Sequence, residues 1–285
     1  MKASFFLISF SLFFISFSQN RSLNLDPAYA PFYHGVASGD PRPDSVIIWT
    51  RLSPDSSQTG PYNVKWNIAT DSAMQNIVQT GNYNTDHDVD YTVKLDVGNL
   101  QAYTYYYYNF EYNGSVSLTG RTKTAPTGAI DSLRFAVVSC AHYEAGYFNV
   151  YDAIVDKNDV DAVIHLGDYI YEYGRNEYGV NMFSPERDYV PSDEITDLIG
   201  YRTRYSQYRL DASLRRLHQQ YPIIAIWDDH ESANNSWTHG AQNHNSGEGS
   251  WSNRKTASIQ AYREWMPLKW PNPLDSNRIY RSLKY

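Results

Sequence analysis

From residue 32 to residue 124, polar and apolar positions alternate in short runs. DSVIIWTRL (44–52), YNVKWNIAT (62–70), YTVKLDVG (91–98) and YTYYYYNFEY (103–112) are each bounded by Gly, Pro, Asn or Asp. That is the pattern of strands with one buried face closed by turns. Asn113-Gly114 carries the hairpin signal and leads into SVSLTGRTKT. Strands at this spacing predict a small antiparallel β-sandwich over residues 32–124. The four tyrosines at 105–108 fit strand packing, with a sugar-binding platform as the alternative. APTGAI (125–130) reads as a linker.

After Asp131 the period changes. LRFAVVS (133–139), DAVIHLG (161–167) and PIIAIW (222–227) are nearly continuous apolar runs, as expected of strands buried on both faces. Helical spacing lies between them. Val150, Tyr151 and Ile154 share one face of 147–156, Tyr201, Tyr205 and Tyr208 follow i, i+4, i+7, and Leu214 and Leu217 continue after Asp211. Ile259, Tyr262 and Met266 repeat the spacing up to Pro267. Alternating strands and helices predict a mainly parallel α/β sheet over 131–285. Residues 172–200 form a long polar stretch of weak periodicity, and a loop of that length is usually functional or disordered.

The chain has 285 residues, enough for two domains, and a net charge of -7 with 31 acidic against 24 basic residues. The surface as a whole is therefore no partner for nucleic acid, and a bound phosphate would need metals or a local arginine cluster. The N-terminus, MKASFFLISFSLFFISFSQN, has one lysine, an apolar run and small residues before Gln19. Residues 1–18 read as a secretory signal peptide, which places the mature protein outside the cytoplasm, secreted or periplasmic. A membrane anchor is the alternative, but serines interrupt the run and no later segment is apolar enough to span a bilayer. Export makes the single cysteine, Cys140, informative: it forms no internal disulfide, so it is either a buried core thiol or a metal thiolate.

In α/β sheets, ligands collect beyond the carboxyl ends of the strands. Here those ends carry SCAHYEAGYFN, GDYIYEYG and WDDHESANN. Cys140, Asp168, Asp228 and Asp229 gathered at one edge would repel unless protonated or bridged by cations. A single such acidic end is commonly a turn or helix cap; three in succession, one with the only cysteine, favour a metal site. Thiolate and phenolate suit a trivalent or borderline metal, and carboxylates can bridge to a harder ion such as calcium or manganese. Tyr171 reaches the same metal if the chain turns after Asp168.

The set HGVASGDP (34–41), SCAHYEAGYFNVY (139–151), HLGDYIYEYG (165–174), YRTRYSQYRLD (201–211) and WDDHESANNSW (227–237) resembles the PhoD-like alkaline phosphatases over residues 32–285. The resemblance implies an N-terminal antiparallel β-sandwich followed by an α/β domain of metallophosphoesterase type, and hydrolysis of phosphomonoesters or phosphodiesters at an iron (Fe3+) and calcium (Ca2+) site. It implies Cys140, Asp168 and Tyr171 as iron ligands, with Asp168 bridging toward calcium. Asp229 would supply the second metal, with Asp228 as the alternative, one residue away. His230 would stand beside the scissile bond, steadying the transition state or protonating the leaving oxygen. His142 and Asn149 are weaker candidates, and Arg187 is either a phosphate or lid contact or a solvated loop arginine.

Two features depart from the family pattern. The leader has no arginine pair, so a general secretory route is expected. No Gly-Asp-Val-His-like strand end with the family's further ligands occurs, so the sequence reads as an N-terminal fragment, which puts its activity in question. The other reading is a non-catalytic secreted protein whose sandwich binds glycan beside a vestigial phosphatase domain. A serine hydrolase is disfavoured because there is no G-x-S-x-G elbow.

Overall fold

The structure, a computed structural model, describes residues 23–55, 59–179, 181–270 and 278–285. The expected signal peptide lies outside these residues. Eight strands come first: β1 (Val36–Gly39), β2 (Val46–Arg51), β3 (Tyr62–Ala69), β4 (Ile77–Thr85), β5 (Thr92–Val97), β6 (Tyr105–Tyr112), β7 (Ser115–Val116) and β8 (Gly120–Lys123). Then follow β9 (Phe135–Val138), α1 (Asn149–Lys157), β10 (Ala162–His165), α2 (Leu198–Leu210), α3 (Ala212–Gln220), β11 (Pro222–Ala225) and α4 (Trp251–Trp265).

The smaller sheet runs β4–β3–β6–β7, with β8 on β6, and is antiparallel throughout. Asn113 and Gly114, at φ 48° and 81°, close the β6–β7 hairpin in the left-handed conformation that the Asn-Gly pair favours. Alternation along β6 buries Tyr106 and Tyr108 and leaves Tyr105 exposed, the strand packing expected of that block.

The larger sheet runs β5–β2–β1–β11–β10–β9. β9, β10 and β11 are parallel, as expected, and β1 joins β11 in parallel while pairing antiparallel with β2. The antiparallel and parallel regions thus share one sheet through β1, a strand that alternation did not predict because all four of its residues are buried. Its two faces serve two cores. Val36, Val46 and Ile48 join Val64, Ile68 and Tyr108 between the sheets. The alternate residues Ala37 and Trp49 join Val163, Ile223 and the buried faces of the helices.

Tyr201, Tyr205 and Tyr208 line the inner face of α2, as their spacing predicts. On α1 the expected face is only partly right, since Tyr151 is buried but Val150 is exposed. β9 is another departure. It ends the sheet among the described residues, and Val137 stands 59% exposed rather than buried.

α4 ties the halves together. Trp49 donates to the Glu264 carbonyl at 2.8 Å, the Trp265 indole donates to Asp90 at 3.0 Å, and Arg202 forks onto Glu264 at 2.6 and 2.7 Å. The stretch 172–200 is pinned at several points. Glu144 accepts from the Asn176 and Tyr189 amides, and Gln207 bonds Val190 and Asp188. The fully buried Arg204 donates to the carbonyls of Tyr171, Tyr173, Val190 and Pro191. These bonds fix the segment that follows the β10 tip.

Candidate active site

β9, β10 and β11 lie side by side, so the loops after Val138, His165 and Ala225 emerge at one edge. The loops then bond to one another. The Cys140 amide donates to Gly167 O at 3.1 Å and the Ala141 amide to Asp168 O at 2.9 Å. Both Cys140 (φ 57°) and Asp168 (φ 54°) adopt the left-handed backbone region, which costs a non-glycine residue on the order of 1–3 kcal/mol and clusters at functional sites. Gly167 (φ 107°) makes the close approach possible, since a Cβ there would lie 2.5 Å from the Asp228 amide nitrogen.

This edge brings Asp168, Asp229 and His230 together, with one ligand atom from each within 4.8 Å of the others. Asp168 Oδ2 is the meeting point: the Cys140 thiol lies 3.5 Å from it and the Tyr171 hydroxyl 3.3 Å. Asp168 Oδ1 is buried with no hydrogen-bond partner. Burial pushes the Asp168 carboxyl above its ordinary range, and Asp229 and Asp228 add to the shift. A buried carboxylate oxygen without a donor, beside a thiol, a phenol and a second carboxylate, is what a cation would satisfy. The residues present therefore fit a metal site.

The structure separates the two adjacent aspartates. Asp229 belongs to the cluster and is held by the Asn235 amide, whereas Asp228, within electrostatic range of Asp168, also lines a neighbouring pocket with Trp237, Trp251 and Lys255. His230 belongs to the same cluster. Its Nδ1 is engaged by Glu172 Oε2 at 2.8 Å, which leaves Nε2 for the site. Burial opposes charge on the ring, but Glu172 and the two aspartates outweigh it and raise its pKa above the ordinary value.

Two supporting glutamates escaped the sequence reading. Glu172, fully buried, accepts from His230, from the Asn234 amide at 2.7 Å and from the Asn243 side chain at 2.9 Å. Glu231 stitches the β10 and β11 loops, accepting backbone amides from Tyr169 at 2.7 Å, Asp228 at 2.8 Å and Asp168 at 3.1 Å. Burial pushes its carboxyl up to about 7, against the pull of those amides. Acids inside DYIYEYG and DDHE were the visible signal, but their backbone partners were not.

The remaining candidates lie around this centre. Cys140 is exposed at the end of the β9 loop, so the buried-thiol alternative does not hold. His142 packs its ring 4.7 Å from that of Tyr171 and accepts from the Ala145 amide at 3.0 Å; burial holds its pKa down to about 4. Asn149 is exposed at the start of α1. Arg187 is not a solvated loop residue: it is buried, paired with Asp211 at 2.6 Å and stacked 3.5 Å from the Tyr143 ring. Its commitment to Asp211 argues for a structural role over a phosphate contact.

An acidic, thiol-bearing cluster at the carboxyl edge of a mixed sheet, joined to a β-sandwich, narrows the choice of family. The match to family models makes the assignment specific. Residues 135–285 match the PhoD-like phosphatase model and residues 18–126 match the N-terminal domain model of PhoD-like phosphatases. The chain belongs to the PhoD-like phosphatase family. It is 40% identical over 265 residues to alkaline phosphatase D of Bacillus subtilis (strain 168), covering 90% of this chain and 45% of that protein. A solved structure of PhoD aligns with a TM-score of 0.79 at 38% identity, covering 88% of this chain and 49% of that one. The chain thus spans about half the length of these relatives. Among the described residues no helix is long and apolar enough to cross a membrane.

Proposed function

We propose that this chain carries active-site residues of an exported phosphoesterase, which hydrolyses phosphomonoesters or phosphodiesters with metal-activated water. The observation that supports it best is the convergence of Asp168, Asp229 and His230 within 4.8 Å, with Cys140 and Tyr171 on the same Asp168 oxygen. Cys140, Asp168 and Tyr171 would hold iron, and Asp168 and Asp229 calcium, soft and phenolic donors on one side and carboxylates on the other. When bound, such ions supply Lewis-acid activation of water and neutralise charge on phosphoryl oxygens.

The chain's own residues do the rest. Glu172 holds the His230 ring through Nδ1 and favours its protonated form, so Nε2 can hand a proton to the departing alcohol oxygen. Glu231 and Gly167 keep the two acidic loops at bonding distance, which holds Asp168 and Asp229 in place before substrate arrives. The membership in a phosphatase family supports a phosphate ester as the substrate class.

The test is metal content with hydrolysis. The whole protein, purified without chelator, should contain iron and calcium, show a visible charge-transfer colour, and cleave aryl phosphate esters. Cys140→Ser should lose colour and most activity while keeping its circular dichroism spectrum. A colourless protein, fully active with zinc or magnesium alone, would overturn the ligand assignment.

A further inference from the structure

We infer that the interior between β2, α2 and α3 holds a compact monovalent anion, of halide size, against the Arg209 guanidinium. Arg209 lies in the last turn of α2, has no exposed surface, and stacks 4.3 Å from the Trp49 ring. Its Nε, Nη1 and Nη2 are all buried, and the acceptor that adjoins them is the neutral Tyr169 hydroxyl. A guanidinium stays protonated in proteins, so this is a buried full charge met only by a neutral hydroxyl.

Among the described residues no carboxylate forms an ion pair with it, and the acids of this region are committed elsewhere. Asp211 binds Arg187 at 2.6 Å and caps α3 through the Leu214 amide at 3.0 Å. Asp90 binds Arg51 at 2.8 Å and the Trp265 indole at 3.0 Å. Arg215, also within electrostatic range, adds positive charge rather than removing it.

The neighbouring polar groups are neutral and bring no negative charge. The Tyr169 hydroxyl adjoins the guanidinium but lies 2.7 Å from His218 Nε2, and the Ser206 hydroxyl lies 2.7 Å from His34 Nε2. The proton between each hydroxyl and its Nε2 can sit on either atom, so neither ring is fixed as a donor. Both Nδ1 atoms are buried and unpaired, and both rings lie within electrostatic range of Arg209. Water could accept from these groups but would leave the charge uncompensated. A single negative ion does both. One uncompensated guanidinium calls for one charge, and a site enclosed under the α2–α3 pair favours a small sphere over a phosphate or carboxylate.

The decisive experiment is a crystal structure of the full chain grown with sodium bromide, with anomalous data collected at the bromine edge. A peak at hydrogen-bonding distance from the Arg209 nitrogens is expected, and density refining as water alone there would overturn the inference. In solution, the melting temperature should rise by about 3 °C and saturate as chloride replaces gluconate at constant ionic strength. Arg209→Met should abolish that dependence. Equal melting temperatures of the wild type in the two salts would count against the ion, and if Arg209→Met fails to fold, the bromide map decides alone.

Discussion

Glu231→Gln tests whether the two acidic loops are held by one carboxylate. In the native chain Oε1 accepts from the Tyr169 amide, and Oε2 accepts from the Asp168 and Asp228 amides, all inside a residue that is 3% exposed. Glutamine has one oxygen. Turned toward Asp168 and Asp228 it keeps two bonds, but its NH2 then faces the Tyr169 N–H, donor against donor. The loss is one charge-assisted bond, about 1.5–3 kcal/mol, plus a buried amide left unpaired, about 1–3 kcal/mol. The two overlap, so the net cost expected is about 3 kcal/mol, or roughly 6–12 °C in melting temperature for a chain of this size. The measurement is urea unfolding at pH 8, above the raised Glu231 value of about 7, where the native carboxylate is ionised. Metal affinity should fall with stability, because the same amides position Asp168. A variant within 0.5 kcal/mol of the parent, with metal binding intact, would refute the reasoning, since three buried amides would then need no common acceptor.

Acid should also destabilise the fold through buried imidazoles. Burial lowers the His165 pKa to about 4, so stability present above the unfolded value near 6.5 is lost as pH falls toward 4, by about 3 kcal/mol at most. Replacing His165 with glutamine should flatten the stability–pH curve in that window by up to about 1.4 kcal/mol per pH unit, and an unchanged slope would show that His165 does not titrate there. Gly167→Ala puts a Cβ 2.5 Å from the Asp228 amide nitrogen at a φ of 107°, so it should abolish metal binding while leaving the sandwich strands folded, read by metal analysis beside circular dichroism. His230→Ala should keep both metals and lose on the order of 10² to 10⁴ in rate, most for esters with poorly leaving alkyl alcohols. Equal losses across a leaving-group series would remove its role as acid, and lost metal would make it a ligand. Asp229→Ala should lose the second metal and all activity.

The sequence by itself determined most elements, β1 and β4 excepted, and the edge at which chemistry gathers. Period-2 and continuous apolar runs are local properties, and three consecutive βα tips carrying Cys140, Asp168 and Asp229 must meet wherever β9, β10 and β11 lie parallel and adjacent. The ambiguity between Asp228 and Asp229 was not legible, because which neighbour faces the cluster depends on how the β11 loop is held against Gly167 and Asn235. Nor was the role of Glu172 and Glu231, whose partners include backbone amides 62 or 63 residues away in the chain. Arg187 became a buried ion pair because Asp211 comes to rest beside it. β1 escaped notice because a strand with every residue buried shows no alternation, and its place between β2 and β11 is a matter of long-range pairing. Periodicity is written into neighbouring residues, so the sequence carries it; the satisfaction of buried charges and amides is settled between segments far apart, and only the tertiary structure decides it.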